Sequence, residues 1–190
     1  MAATLLLIRH GAHGDLGERL TGRGHEGGLS EAGRQQVEAL ASELGRRPIS
    51  AIYTSPRLRT RETAALVATA VELPMHVEAA LDEIDFGNWT GRRFADLDGQ
   101  AEWDRWNRER SVVRCPGGET MREAQARAVA FAIQASAAHA GEVALVTHCD
   151  IIRALLCWQE RRSLDEILHF EAGPASVTRM NIPPVEQVAA

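Results

Sequence analysis

Two apolar runs of strand length, Thr4–Ile8 and Glu142–Thr147, stop abruptly at polar residues that include a histidine: Arg9-His10-Gly11 after the first and His148 after the second. A short apolar run closed off by glycine or charge predicts a strand buried on both faces, and such strands belong to sheets covered by helices on both sides. The intervening chain fits that frame. Leu29–Gly33 opens a helical pattern that places Val37, Leu40, Ala41 and Leu44 on one face, with Ser30 as N-cap and Gly45 as stop. Ile49–Thr54 predicts a second strand broken by Ser55-Pro56, Leu58–Val71 a helix, and Met75–Val77 a short strand.

Further on, Phe94–Arg108 and Glu119–His139 predict helices, with Glu119 capping the second, and Asp150–Trp158 the helix that follows the late strand. Leu164–Phe170 has no clear period, and Ser176–Ile182 alternates as an edge strand ahead of Pro183-Pro184. Alternating strands and helices without repeats or a linker predict one domain over 1–190: a three-layer α/β/α fold with a mostly parallel sheet. The segment 81–116, charged and carrying Trp89, Trp103 and Trp106, is expected to be an excursion that covers the sheet's edge and the active site.

Composition removes several function classes. All 21 basic residues are arginine, so a Schiff-base lysine, a pyridoxal attachment and a P-loop lysine are excluded. The net charge is −5 and the arginines are scattered, which argues against nucleic acid or an anionic membrane as partner. Cys115, Cys149 and Cys157 are odd in number and form no C-x-x-C pair, as expected of reduced thiols. No apolar run approaches the ~20 residues of a spanning helix, and no leader pattern is visible at the start. A cytoplasmic protein is therefore expected.

Three polar clusters follow three predicted strands: Arg9-His10, Arg57 to Arg61, and His148. Ligands of open α/β sheets sit at the carboxyl ends of strands, so these groups can meet in one crevice. Histidines among guanidinium groups describe an anion pocket, and phosphate is the anion that the rigid arginine fork suits. Gly22-Arg23-Gly24-His25-Glu26-Gly27 matches G-x-G-x-x-G, but it neither follows a strand directly nor opens a helix, and a dinucleotide site is rejected. His10, His13, His148, Cys149 and Asp150 form no zinc motif, and the adjacent arginines would repel a cation. No metal and no organic cofactor is expected.

The sequence resembles the histidine phosphatase superfamily, also called phosphoglycerate mutase-like. The resemblance rests on five blocks in order: Leu7–Gly11, Ser55–Ala64, Leu81–Gly91, Pro116–Thr120 and Val146–Arg153. It implies that His10 attacks phosphorus and becomes a phosphohistidine. Arg9, Arg59 and His148 would then hold the phosphoryl oxygens, and Glu83 would act as general acid and base, with Asp85 as the rival. A neutral imidazole is nucleophilic near neutrality, but a phosphate dianion repels nucleophiles until cations spread its charge.

Gly11 would let the backbone approach the phosphate, and His13, Arg19, Gly22 and Cys149 would lie around the substrate. Of the arginines flanking Arg59, Arg57 is the better candidate for a substrate contact. Two departures stand out. Cys149 occupies a position usually glycine in the family, placing a thiol open to oxidation near the pocket, and the loop after Gly11 lacks the asparagine many relatives carry.

The resemblance implies a metal-independent, acid-phosphatase-type hydrolase of a small phosphomonoester, similar to the alpha-ribazole and broad-specificity phosphatases of the family. Glu83 and His148 lie only 65 residues apart, a short excursion that favours hydrolysis over mutase-type transfer. A catalytically silent phospho-ligand binder on the same fold is the remaining alternative. Nothing in the sequence sets the oligomeric state, and a homodimer is compatible with it.

Overall fold

The computed structural model describes residues 3–24 and 27–182; His25, Glu26 and the Pro183-Pro184 pair lie outside them. Five strands form one sheet in the order β3-β2-β4-β1-β5. They are β1 (Thr4–Arg9), β2 (Ile49–Thr54), β3 (Met75–Val77), β4 (Glu142–Thr147) and β5 (Val177–Met180). All pairings are parallel except β1 with β5.

The central strands are buried on both faces, and their alternation assigns each residue to a layer. Leu5 and Leu7 of β1 and Val143 and Leu145 of β4 point into one core. That core is shared with α5 (Met121–Ala138) and α6 (Cys149–Gln159). Leu6, Ile8, Ala144 and Val146 point into the other, against α1 (Glu31–Leu44) and α2 (Leu58–Val71). This is the three-layer α/β/α arrangement read from the sequence. Among the described residues no helix is long and apolar enough to cross a membrane.

Local chemistry sets most element ends. The Ser30 hydroxyl accepts from the Gly33 amide at the start of α1, and Gly45 closes that helix. The predicted Glu119 cap is not formed: Thr120 and Glu123 make a capping box at the start of α5. The expected single helix over Phe94–Arg108 is two, α3 (Phe94–Leu97) and α4 (Ala101–Arg108), divided at Gly99, whose φ of +78° a helix cannot accommodate. Leu164–His169 is a 3-10 turn.

The excursion differs from the expected edge cover. Its Phe86, Trp89, Trp103 and Trp106 pack into the core on the α5/α6 side, and its inner face looks onto the crevice at the strand ends. Trp103 stacks on Trp106, while Trp89 meets both edge-on.

The loop after β1 is pressed against α1. Ser30 donates to the Ala12 carbonyl through both its amide and its hydroxyl. A Cβ on Gly33 would collide with that carbonyl oxygen, and a Cβ on Gly11 would come within 2.6 Å of the Gly33 oxygen. Gly11 is thus a packing glycine, a correction to its expected place against the ligand. Gly33→Ala should destabilise the protein by about 1–3 kcal/mol through overpacking, measured as a lowered urea midpoint with unchanged m-value. An unchanged midpoint would show that the contact relaxes freely.

Candidate active site

A cavity of about 480 Å³ opens at the carboxyl ends of β1 and β4. Of the residues expected there, Arg9, His10, His13, Arg19, Gly22, Arg59, Glu83 and Cys149 line it. Gly11 does not, nor does Arg57, which pairs with Asp82 at 3.0 Å and donates to the Arg23 carbonyl. Asp85 is also away from the cavity, its carboxylate accepting from the Gly87 amide.

His10 sits one residue past β1, 3% exposed. Its Nδ1 lies 2.8 Å from the Gly11 carbonyl oxygen. A carbonyl can only accept, so the proton is assigned to Nδ1 and Nε2 keeps its lone pair. Burial and then the Arg59 charge hold the His10 pKa well below the ordinary 6.5, with Arg9 and His13 adding to the effect. The result is a neutral, desolvated imidazole among cations.

Arg59, in the first turn of α2, is 1% exposed. Its Nη2 donates to the Gly22 carbonyl (2.9 Å) and to His148 Nδ1 (3.1 Å). Arg9 reaches the Ala172 carbonyl at 2.6 Å. His148 caps α6, fully buried, its ring centroid 5.3 Å from that of His10. It does not line the cavity itself. Burial, then Arg59 and His10, keep its pKa well below 6.5. Its Nε2 lies 2.8 Å from Ser55 Oγ.

Glu83 lies near the start of the excursion, its side chain 12% exposed and one oxygen 3.7 Å from His148 Nδ1. Its pKa is raised to about 7, first by burial and next by the Asp150 carboxylate, against the pull of Arg59 and Arg9. A carboxyl group that still holds its proton near neutrality can donate to an oxygen leaving group. Its backbone carbonyl is gripped by Arg23 (2.7 Å) and Arg127 (3.0 Å), both of which pair with Glu119. Glu119 therefore organises the acid's segment rather than capping a helix.

Cys149 departs from expectation in its chemistry. Burial raises its pKa, and its Sγ donates to the Ala172 carbonyl at 3.5 Å. A protonated, hydrogen-bonded thiol is a poor target for oxidation. Among the described residues no cluster of three potential metal ligands exists.

The sequence placed the segment 81–116 over the site without naming which of its residues form the outer half of the cavity. Phe86, Phe94, Trp103 and Trp106 wall one side, and Arg110, Asp150 and Arg153 form a polar patch. Arg110, 6% exposed, stacks 4.0 Å over the Trp106 ring. It pairs with Asp150 at 3.1 Å, and its buried Nε has no partner. Arg153 meets Asp150 at 3.5 Å. The i, i+3 spacing of Asp150 and Arg153 just after His148 was the available signal; nothing in the sequence pointed to Arg110.

Arg9, His10, Arg59 and the proton-holding Glu83 line the cavity with His148 packed behind them, an arrangement suited to a tetrahedral oxyanion, on a mostly parallel α/β sheet. The profile of the histidine phosphatase superfamily (branch 1) matches residues 5–189, and the chain belongs to that family. It is 34% identical to phosphoserine phosphatase 1 of Hydrogenobacter thermophilus over 132 residues, 68% of this chain and 63% of that protein. It is 43% identical over 124 residues to a bifunctional protein of Mycobacterium tuberculosis, covering 61% of this chain but only 32% of that one. The chain thus spans about a third of the length of that relative.

Among solved structures, mycobacterial glucosyl-3-phosphoglycerate phosphatase superposes with a TM-score of 0.84 at 28% identity, over 94% of this chain and 90% of that one. Bacillus stearothermophilus YhfR gives 0.89 at 27% identity, over 96% and 92%.

Asp150 is the second cause of the raised Glu83 pKa, so Asp150→Asn should lower that pKa from about 7. A carbon-13 titration of the Glu83 carboxyl checks this, and an unmoved titration would assign the shift to burial alone.

Proposed function

We propose that the chain is a metal-independent phosphatase of acid-phosphatase type that hydrolyses small phosphomonoesters through a phosphohistidine on His10. The observation that carries this is the state of His10, which lines the cavity with Arg9 and Arg59: its Nδ1 is tied to the Gly11 carbonyl, which leaves the lone pair on Nε2. In the first step His10 Nε2 forms a bond to phosphorus as the ester P–O bond breaks. The departing oxygen takes the Glu83 proton. In the second step Glu83, now a carboxylate, accepts a proton from water as that water attacks phosphorus. The P–N bond breaks and phosphate leaves. Arg9, Arg59 and His148 hold the three peripheral oxygens and offset the charge that would repel the nucleophile.

The outer half of the cavity would take the alcohol. Arg110 and Arg153 against the single Asp150 carboxylate leave one positive charge in excess beside an aromatic wall. That suits an alcohol bearing a carboxylate, as do the names of two relatives, a phosphoserine phosphatase and a glucosyl-3-phosphoglycerate phosphatase. His13, Arg19, Gly22 and Cys149 would close the remaining side. The three cysteines are unpaired, which suits a reducing compartment, and we assign the enzyme to the cytoplasm.

Hydrolysis of p-nitrophenyl phosphate should persist in excess EDTA and drop by about 10³-fold or more in His10→Ala. Loss of activity in EDTA would overturn the metal-free mechanism, and an active His10→Ala the nucleophile. Because Glu83 must be protonated for the first step, kcat/KM for alkyl phosphates should fall as pH rises through about 7. Glu83→Gln should abolish that limb. Arg110→Met should raise KM for phosphoserine about 10-fold while leaving glycerol phosphate unaffected; an equal effect on both would remove Arg110 from carboxylate recognition.

A further inference from the structure

Behind His148, on the side away from the cavity, lies a buried polar chain that the two-step chemistry does not use. Ser55, just past β2, is fully buried, and Asp82 is 6% exposed. Neither lines the cavity. The hydrogen bonds run in one direction. Arg59 Nη2 donates to His148 Nδ1 at 3.1 Å, which puts the ring proton of the neutral histidine on Nε2. Nε2–H then donates to Ser55 Oγ at 2.8 Å, and Ser55 O–H donates to Asp82 Oδ1 at 3.2 Å. The same Oδ1 accepts from the Glu83 amide at 2.8 Å. Arg57 at 3.0 Å and Arg23 at 3.6 Å hold the Asp82 carboxylate in place.

This arrangement sets a condition on His148. Nδ1, the nitrogen directed toward Arg59 and Glu83, carries a lone pair in the free protein and can donate nothing to a phosphoryl oxygen. While the Ser55–Asp82 chain holds the proton on Nε2, Nδ1 becomes a donor by gaining a second proton from bulk water, and the ring then carries a positive charge. The groups around it mostly oppose that charge: Arg59 and Arg57 at the start of α2, Arg127 from α5, and His10 beyond β1. Two carboxyl groups lie close enough to counter it when ionised. Glu83 lies 3.7 Å from Nδ1, and Asp82 lies 4.0 Å from Nε2.

We propose that Ser55 and Asp82 are positioning residues that act through His148: they fix its Nδ1 toward Arg59 and Glu83, which line the phosphoryl site, and share the charge it gains when a dianionic phosphoryl group arrives. Histidine paired with a carboxylate through its second nitrogen is oriented and more readily charged. Here a serine hydroxyl carries that pairing across a gap the carboxylate does not span alone. The inference rests on the reading of the cavity as a phosphoryl site.

The test is nitrogen-15 NMR of histidine-labelled protein with and without tungstate, a tetrahedral dianion that does not titrate near neutrality. The free wild type should show His148 protonated on Nε2 and His10 on Nδ1. With tungstate bound at about pH 7.5, His148 should become doubly protonated. Asp82→Asn preserves the shape but removes the charge, and should lower the His148 pKa in the complex by about one unit or more. Ser55→Ala should do the same and release the free-state tautomer. A His148 that stays neutral in the wild-type complex overturns the proposal. So do Asp82→Asn and Ser55→Ala proteins that both titrate as the wild type does. Tungstate that perturbs neither His10 nor His148 would overturn the phosphoryl site along with it, a result distinct from binding without protonation.

Discussion

A guanidinium group with 1% exposure stands at the centre of this molecule, and the rest of the site follows from how Arg59 is kept there. Burying a charge costs several kcal/mol unless its surroundings compensate. Among its partners here are the Gly22 carbonyl and the Nδ1 lone pair of His148. The same cation depresses the pKa of His10 and of His148. Burial and, after it, this one charge keep two imidazoles neutral and leave the pocket short of negative charge, a deficit that an incoming phosphoryl group would meet.

Around that centre the fold acts as a clamp. The Thr63 hydroxyl accepts from the Gly11 amide and donates to the Arg59 carbonyl, tying the residue after His10 to α2. Thr147 Oγ1 donates to the Leu81 carbonyl, fixing the end of β4 to the start of the excursion that carries Glu83. Glu119 joins Arg23 and Arg127 beneath the acid's own carbonyl. Segments far apart in sequence are thus bound to one another within a few residues of each functional group.

Much of this was legible because it is local. The strands ending in Arg9-His10 and His148 announced themselves by apolar runs, and Ser30, Gly45 and Ser55-Pro56 punctuated the helices as their side-chain chemistry requires. What escaped depended on contacts between distant segments. Gly11 reads as a phosphate-loop glycine until α1 is seen against it, and Arg57 reads as a substrate contact until Asp82 claims it. Arg110 lies in a charged stretch with no period, and only the fold sets it on Trp106 with its Nε desolvated. Likewise the thiol of Cys149 looked reactive by position and is quenched by burial and the Ala172 carbonyl.

Every cation that lines the cavity is an arginine. Guanidinium groups do not lose their proton under any condition in which the protein stays folded. The arginines' contribution to the potential of the pocket is therefore constant across the working range, and acidity is sensed through the carboxyl groups and imidazoles set within it. The field is a fixed background, and Glu83, His10 and His148 are the switches that move against it.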